Sequence, residues 1–113
     1  MKLLKTKFKG LKIIKFKRNT DTRGYLAETY NKKIVGGKDL IFDYKVISKK
    51  NIFRGFHFQY KYQQVKLISV LKGKILDYVI DLRKNSKTFG FFIGNVIFNF
   101  LSFQNIPLSN FGA

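Results

Sequence analysis

The sequence contains no cysteine and no tryptophan, and it has one histidine, one proline and six acidic residues in 113 positions. Each scarcity excludes something. Without cysteine there is no disulfide framework, no thiolate nucleophile and no cysteine zinc site, and a single imidazole removes every metal site that needs two. Long apolar runs are scarce too. Residues 1–18 are basic and acid-free, but Lys recurs about every third position and interrupts any continuous apolar core of a secretory signal. Residues 89–103 read FGFFIGNVIFNFLSF, which is very apolar but carries Asn95 and Asn99 and is shorter than the roughly 20 residues that cross a bilayer. This stretch is expected to be a buried strand or a disturbed sequence rather than a membrane span. The absence of a recognisable signal and of cysteine points to the cytoplasm.

What is present is apolar and basic. Hydrophobic residues make up 45% and aromatics 17% of the chain, too many for a disordered polymer, and its length suits one domain over residues 1–113. The six carboxylates stand against 23 Lys and Arg, a formal charge of +17, which invites phosphate-bearing partners.

The dominant periodicity is two. Short β-branched and aromatic runs at 11–16, 25–30, 42–48, 64–71 and 75–82, bounded by Gly, Asn, Asp or Lys-rich breaks, predict strands. Over 75–82 the alternation sends Asp77, Val79 and Asp81 to one face and Leu76, Tyr78, Ile80 and Leu82 to the other. The polar face lies where a barrel interior can hold a ligand. Lys72-Gly73-Lys74 predicts a tight hairpin between the last two runs, with Gly73 free to take positive φ. Residues 31–39, with Gly36-Gly37, read as a loop or one short turn. Strands at short spacing with no competing amphipathic helix predict an antiparallel, all-β sandwich or barrel.

The only histidine lies in Arg54-Gly55-Phe56-His57-Phe58-Gln59. A lone histidine in a strand is usually a satisfied structural residue, and strict alternation would place Arg54 and His57 on opposite faces. A bulge at Gly55 would bring both into one cavity.

Four stretches in order are similar to one family: 21–28 (DTRGYLAE), 48–59 ending in RGFHFQ, 64–67 (QVKL) and 73–90 (GKILDYVIDLRKNSKTFG). They resemble the dTDP-4-dehydrorhamnose 3,5-epimerase family over residues 8–90. The resemblance implies a cupin-type double-stranded β-helix, a jelly roll commonly paired as a homodimer. It further implies epimerisation of a nucleotide-linked 4-keto-6-deoxysugar with no cofactor and no metal. By the same resemblance His57 matches the catalytic base and Lys66 the group facing the enolate oxygen. Arg23 and Arg54 match contacts to nucleotide and phosphate, Glu28 a further substrate contact, and Asp77 a carboxylate that orients a second histidine of the family.

The sequence also departs from the family. Phe42 and Tyr44 stand where the family has Gln and Asn that read the nucleotide, with Ser48 retained. The loop 60–63 is one residue short and lacks a common Pro. After Gly90 the chain reads FFIGNVIFNFLSFQNIPLSNFGA, where the family continues through a His-Gly-Phe motif, a Tyr acid and closing strands. Residues 91–113 thus read as a non-matching tail, and the chain as a truncated or frameshifted member whose jelly roll is incomplete at its C-terminal end. Two other readings compete. A basic nucleic-acid-binding β domain fits the +17 charge, thirteen Phe and six Tyr, but the Lys residues are scattered rather than striped and no RNA-binding string accompanies them. An inactive cupin remnant that joins an intact partner fits the missing acid.

Overall fold

The computed structural model describes residues 2–58 and 65–98, together with the backbone of 101–104. These residues form eight strands: β1 (Lys2–Lys5), β2 (Leu11–Lys15), β3 (Arg18–Asp21), β4 (Gly24–Ala27), β5 (Lys66–Ser69), β6 (Ile75–Ile80), β7 (Phe92–Ile97) and β8 (Leu101–Gln104). No helix occurs among them. Every pairing is antiparallel. One sheet has the order β1-β2-β8-β5, and β3-β4 and β6-β7 are two-stranded ribbons.

β2 organises the core because its two faces bury against different partners. Successive side chains of a strand point to opposite sides. Leu11 therefore packs with Phe8, Val79 and Ile93, while Ile14 packs with Val35, Phe16, Ile34 and Leu67. Both residues are fully buried. The turn before β2 is fixed locally. Thr6 Oγ1 donates to the Leu11 carbonyl at 2.8 Å, Leu11 N donates to the Phe8 carbonyl at 3.1 Å, and Gly10 takes φ 93°. This folding-back seats the Phe8 ring beside Leu11.

A buried ion pair locks the loop after β6. Asp81 is fully buried, and its carboxylate accepts from Arg83 Nε at 2.9 Å and Arg83 Nη2 at 3.0 Å, and from Ser86 Oγ and Thr88 Oγ1 at 2.5 Å each. Its backbone is also paired, with Phe91 O at 3.0 Å and Gly90 N at 2.7 Å. Arg83 Nη1 then donates to the Lys9 carbonyl at 2.7 Å, tying residues 81–90 to the turn before β2. Such satisfaction by hydrogen bonds is what offsets the cost of removing both charges from water.

Three expectations are corrected. The hairpin across Lys72-Gly73-Lys74 does not form: Gly73 does take φ 82°, but β5 pairs with β8 and β6 with β7. The turn is a corner between sheets, since turn chemistry reverses the chain without choosing the neighbour. Residues 42–48 form no strand; their side chains suit a strand, but propensity supplies no partner. The run 25–30 is a strand only at β4. The stretch 89–103, expected as a buried strand or a disturbed sequence, includes β7, whose Ile97 is buried and which pairs with β6 along its whole length. Gly94 in β7 lies under the Tyr78 ring, where an added Cβ would come within 2.6 Å of the ring. The loop 60–63, Gln59, Gln64, Asn99 and residues 105–113 lie outside the described residues.

Burial pushes the Asp81 carboxyl up, but the hydrogen bonds from Arg83, Ser86 and Thr88 outweigh it and leave the group well below the usual carboxylate range. A depressed folded-state value means the stabilisation is complete above the unfolded value of about 4 and is lost as pH falls through the folded one. Asp81→Asn is expected to cost about 3–5 kcal/mol at neutral pH. Chemical denaturation at several pH values checks this: the gap between wild type and variant should narrow only below about pH 4.

Candidate functional site

The residues singled out from the sequence sit on five separate stretches. Arg23 lies at the tip of the β3-β4 hairpin, next to Gly24, which has φ 136°. Its guanidinium grips Asp21: Arg23 Nη2 donates to Asp21 Oδ2 at 2.6 Å and Nε donates to the same oxygen at 3.2 Å. The Arg23 hydrogen bonds hold the Asp21 carboxyl below its ordinary range, and Asp21 in turn raises Arg23. Both side chains are exposed, so water and salt screen the pair. The Arg23 guanidinium is thus already paired with an anion at the hairpin tip.

Glu28 follows β4 and accepts from Asn31 Nδ2 at 2.5 Å; Asn31 Oδ1 accepts from Ile34 N at 2.8 Å. The carboxylate is thereby linked to the turn over 31–37, whose Val35 is fully buried. Arg54 Nε donates to Ser48 Oγ at 2.8 Å, and Nη2 reaches the Ile47 carbonyl at 3.5 Å. Arg23, Glu28 and Arg54 are each held by a residue close in sequence and keep an exposed outer edge.

The RGFHFQ stretch departs from the regular pairing that would separate Arg54 from His57. Residues 52–58 are not in a strand, Gly55 takes φ 125°, and the Gly55–Phe56 peptide is cis. His57 folds back over Gly55, where a Cβ would stand 3.7 Å from His57 Nδ1. Strict alternation is therefore broken at Gly55, but by a turn of isolated chain and not by a bulge in a ladder. Phe53 and Phe56 meet edge-to-face at 6.0 Å.

Lys66 opens β5 opposite Gln104 and is exposed. Asp77 is half-buried in β6 opposite Asn95, on the inward face with Val79 and Asp81. The alternation predicted for 75–82 is thus observed, and Asp81 on that face is held by Arg83, Ser86 and Thr88. Phe42 and Tyr44 are exposed and stack on one another with centroids 6.1 Å apart and planes 22° from parallel. Sequence reasoning missed the Asp81 cluster as a unit, although its members all lie within one quoted string. Over it lies a shallow basic pocket of about 360 Å³, lined by Lys7, Lys9, Asn85 and Lys87 among others and by none of the six candidate residues. Among the described residues no three His, Cys, Asp or Glu side chains cluster as metal ligands, and no helix is long and apolar enough to cross a membrane.

The antiparallel, all-β chain carries its one imidazole on a glycine-bent loop and its candidate guanidinium groups and amine on separate exposed stretches, within the strand arrangement of a cupin-type jelly-roll protein. Comparison with known proteins makes the assignment specific. The family model for dTDP-4-dehydrorhamnose 3,5-epimerase matches residues 5–99, and the chain belongs to this family. It is 40% identical over 97 residues to dTDP-4-dehydrorhamnose 3,5-epimerase of Methanothermobacter thermautotrophicus, covering 82% of this chain and 52% of that one. The crystal structure of the Elizabethkingia anophelis enzyme superposes with a TM-score of 0.83 at 34% identity, over 93% of this chain and 62% of that one. The Legionella pneumophila 3,5-epimerase, solved in complex with dTDP-4-keto-L-rhamnose, gives 0.73 at 30% identity, over 91% and 59%. The chain spans about half the length of the curated relatives it matches.

Because His57 is the only histidine, its ring protons report on the loop without overlap. Gly55→Ala places a β-carbon on a backbone angle that costs an L residue about 1–3 kcal/mol. The expected result is a displaced His57 C2–H resonance with unchanged methyl signals from the Ile14 and Val79 clusters, read by proton NMR.

Proposed function

We propose that the chain carries the base-bearing half of a nucleotide-sugar 3,5-epimerase site, acting on a dTDP-4-keto-6-deoxyhexose. The observation that carries the reading is His57 within RGFHFQ, in a chain of this family with Lys66, Arg54 and Arg23 at the matching motif positions.

The chemistry follows from the substrate. A ketone at C4 acidifies the protons on C3 and C5. His57 removes one of them, the electron pair moves onto the ketone oxygen, and the Lys66 ammonium faces the resulting enolate. Returning a proton to the opposite face inverts the carbon and regenerates the ketone. No metal is needed, since an ammonium suffices to hold the oxyanion. Arg54 and Arg23 offer planar, paired donors to the diphosphate, with Arg23 exchanging Asp21 for phosphate, and Glu28 takes a sugar or nucleoside hydroxyl. Asp77 stands at the position of the carboxylate that orients a second imidazole in the family, a group this sequence, with His57 as its only histidine, does not contain. The same reading makes the protein a cytoplasmic partner in a homodimer, as the family resemblance implies.

The family's Tyr acid has no counterpart among the matched motifs, so the half-reaction is the proper readout. In D2O the chain is expected to exchange a C3 or C5 proton of the keto sugar for deuterium with little net inversion, followed by NMR. His57→Asn should reduce exchange by about 100-fold or more and Lys66→Ala by about 100-fold. Exchange that persists in His57→Asn would defeat the assignment.

Phe42 and Tyr44 present ring faces where the family uses amides. Stacking tolerates any base, so discrimination between thymidine and uridine diphosphates should fall below about tenfold. Competition binding measures it. A steep salt dependence with an oligonucleotide, unaffected by nucleoside diphosphate, would instead favour the nucleic-acid reading.

A further inference from the structure

The basic pocket over the Asp81 cluster lies outside the candidate site, and the charge of its wall is of one sign. Lys7, Lys9 and Lys87 are exposed around it, Asn85 lies beside them, and the less exposed Arg83, Ser86 and Thr88 complete a hollow of about 360 Å³. All six carboxylates of the chain fall within the described residues, and none of them lines it. The one beneath it, Asp81, is fully buried, and its charge is met by Arg83 Nε at 2.9 Å. Three ammonium-bearing side chains thus share one concave wall that holds no carboxylate.

The hollow is held in shape by bonds across the fold. Two segments far apart in sequence form it, the turn before β2 and residues 83–88, and Arg83 Nη1 fastens them by donating to the Lys9 carbonyl at 2.7 Å. Arg83 is 6% exposed, so this part of the wall is fixed from below. Ser86 and Thr88 are fixed as well, each donating to Asp81 Oδ2 at 2.5 Å with their hydroxyls 3.0 Å apart. Lys7 is steered by Phe91, whose ring centroid lies 5.7 Å from Nζ. A concave wall of one sign focuses the field inside it. An anion with several oxygens relieves the mutual repulsion of all three ammonium groups at once. Each ammonium offers three donors and the Asn85 amide two, which suits the tetrahedral oxygens of a phosphate better than a halide.

We infer that this pocket is a second anion site, binding a phosphate group through Lys7, Lys9, Lys87 and Asn85. It is independent of the catalytic reading, since none of Arg23, Glu28, Arg54, His57, Lys66 and Asp77 lines it. Its volume falls at the low end of small-molecule pockets, about 300–1,000 Å³. Free phosphate and the phosphate of a small ester therefore present the same chemistry to it. A bound phosphate joins residues 83–88 to the turn before β2 by a second link beside the Arg83–Lys9 bond, so occupancy and folding are coupled.

Amide NMR of the 113-residue chain tests it, with inorganic phosphate and glycerol 3-phosphate titrated separately at an ionic strength held constant with chloride. Saturable shifts are expected at Lys9, Asn85, Lys87 and Thr88, while the His57 ring protons report on the candidate site separately. Tighter binding of the ester identifies a phosphorylated small molecule as the ligand, and tighter binding of phosphate identifies the free ion. The double variant Lys9→Gln/Lys87→Gln should weaken binding about tenfold or more. Lys49→Gln/Lys50→Gln, which removes the same charge from residues that do not line the pocket, should bind as wild type does. Unchanged methyl signals of Leu11 and Val79 verify that each variant is folded. Three results would overturn the inference: no saturable shift at these amides, wild-type affinity in the Lys9/Lys87 variant, or an equal loss in both double variants. Failure of the chain to exchange protons of the keto sugar would instead strike the catalytic proposal and leave the phosphate site standing.

Discussion

The described fold depends on one buried carboxylate. Asp81 gathers five donors from three side chains and one backbone amide within seven residues, and through Arg83 it reaches the Lys9 carbonyl on the other side of the core. The β6-β7 ribbon has only two strands, and such a ribbon is marginal unless something packs on it. The Arg83 bridge to Lys9 holds the ribbon where Val79 and Ile93 can meet Phe8 and Leu11. The hydrophobic cluster is small, so its geometry has to be imposed by directional bonds. Asp77, two turns of alternation inward on the same face, inherits its placement from this arrangement.

The site is built differently from the core. Arg23, Glu28 and Arg54 are positioned by short-range contacts to Asp21, Asn31 and Ser48. Such contacts set a side chain's direction relative to its own loop and leave the loops to be placed by packing. Arg23, Arg54, His57 and Lys66 are displayed in an exposed setting, and under the proposed function it is desolvation by a bound nucleotide sugar that would make their electrostatics strong.

Much of this was legible in the residues, and the illegible part has a common cause. Alternation placed Asp77, Val79 and Asp81 on one inward face, and the Gly36-Gly37 pair marked a turn. Both are local properties. The corner at Gly73 was mistaken for a hairpin because its local chemistry is the same in either case, and only the distant strand β7 decides the outcome. The run 42–48 was mistaken for a strand because its side chains have the right composition, whereas a strand also needs a neighbour. Motif matching singled out Arg23, Arg54, His57 and Lys66 as candidates but gave no sign that Arg23 would be clasped by Asp21. That pairing follows from the two-residue reversal at Gly24, a detail of backbone geometry.

The corner at Lys72-Gly73-Lys74 has a consequence for chemistry. It carries the chain from the sheet containing Lys66 to the ribbon containing Asp77. The Lys66 ammonium and the Asp77 carboxylate, which the proposed function assigns to one site, thus belong to bodies that share no ladder, and residues 70–74 form the covalent tether between their strands. Their spacing is governed by how two layers lean on each other rather than by strand register, so a shift in layer packing would retune the pocket while leaving every backbone pairing intact.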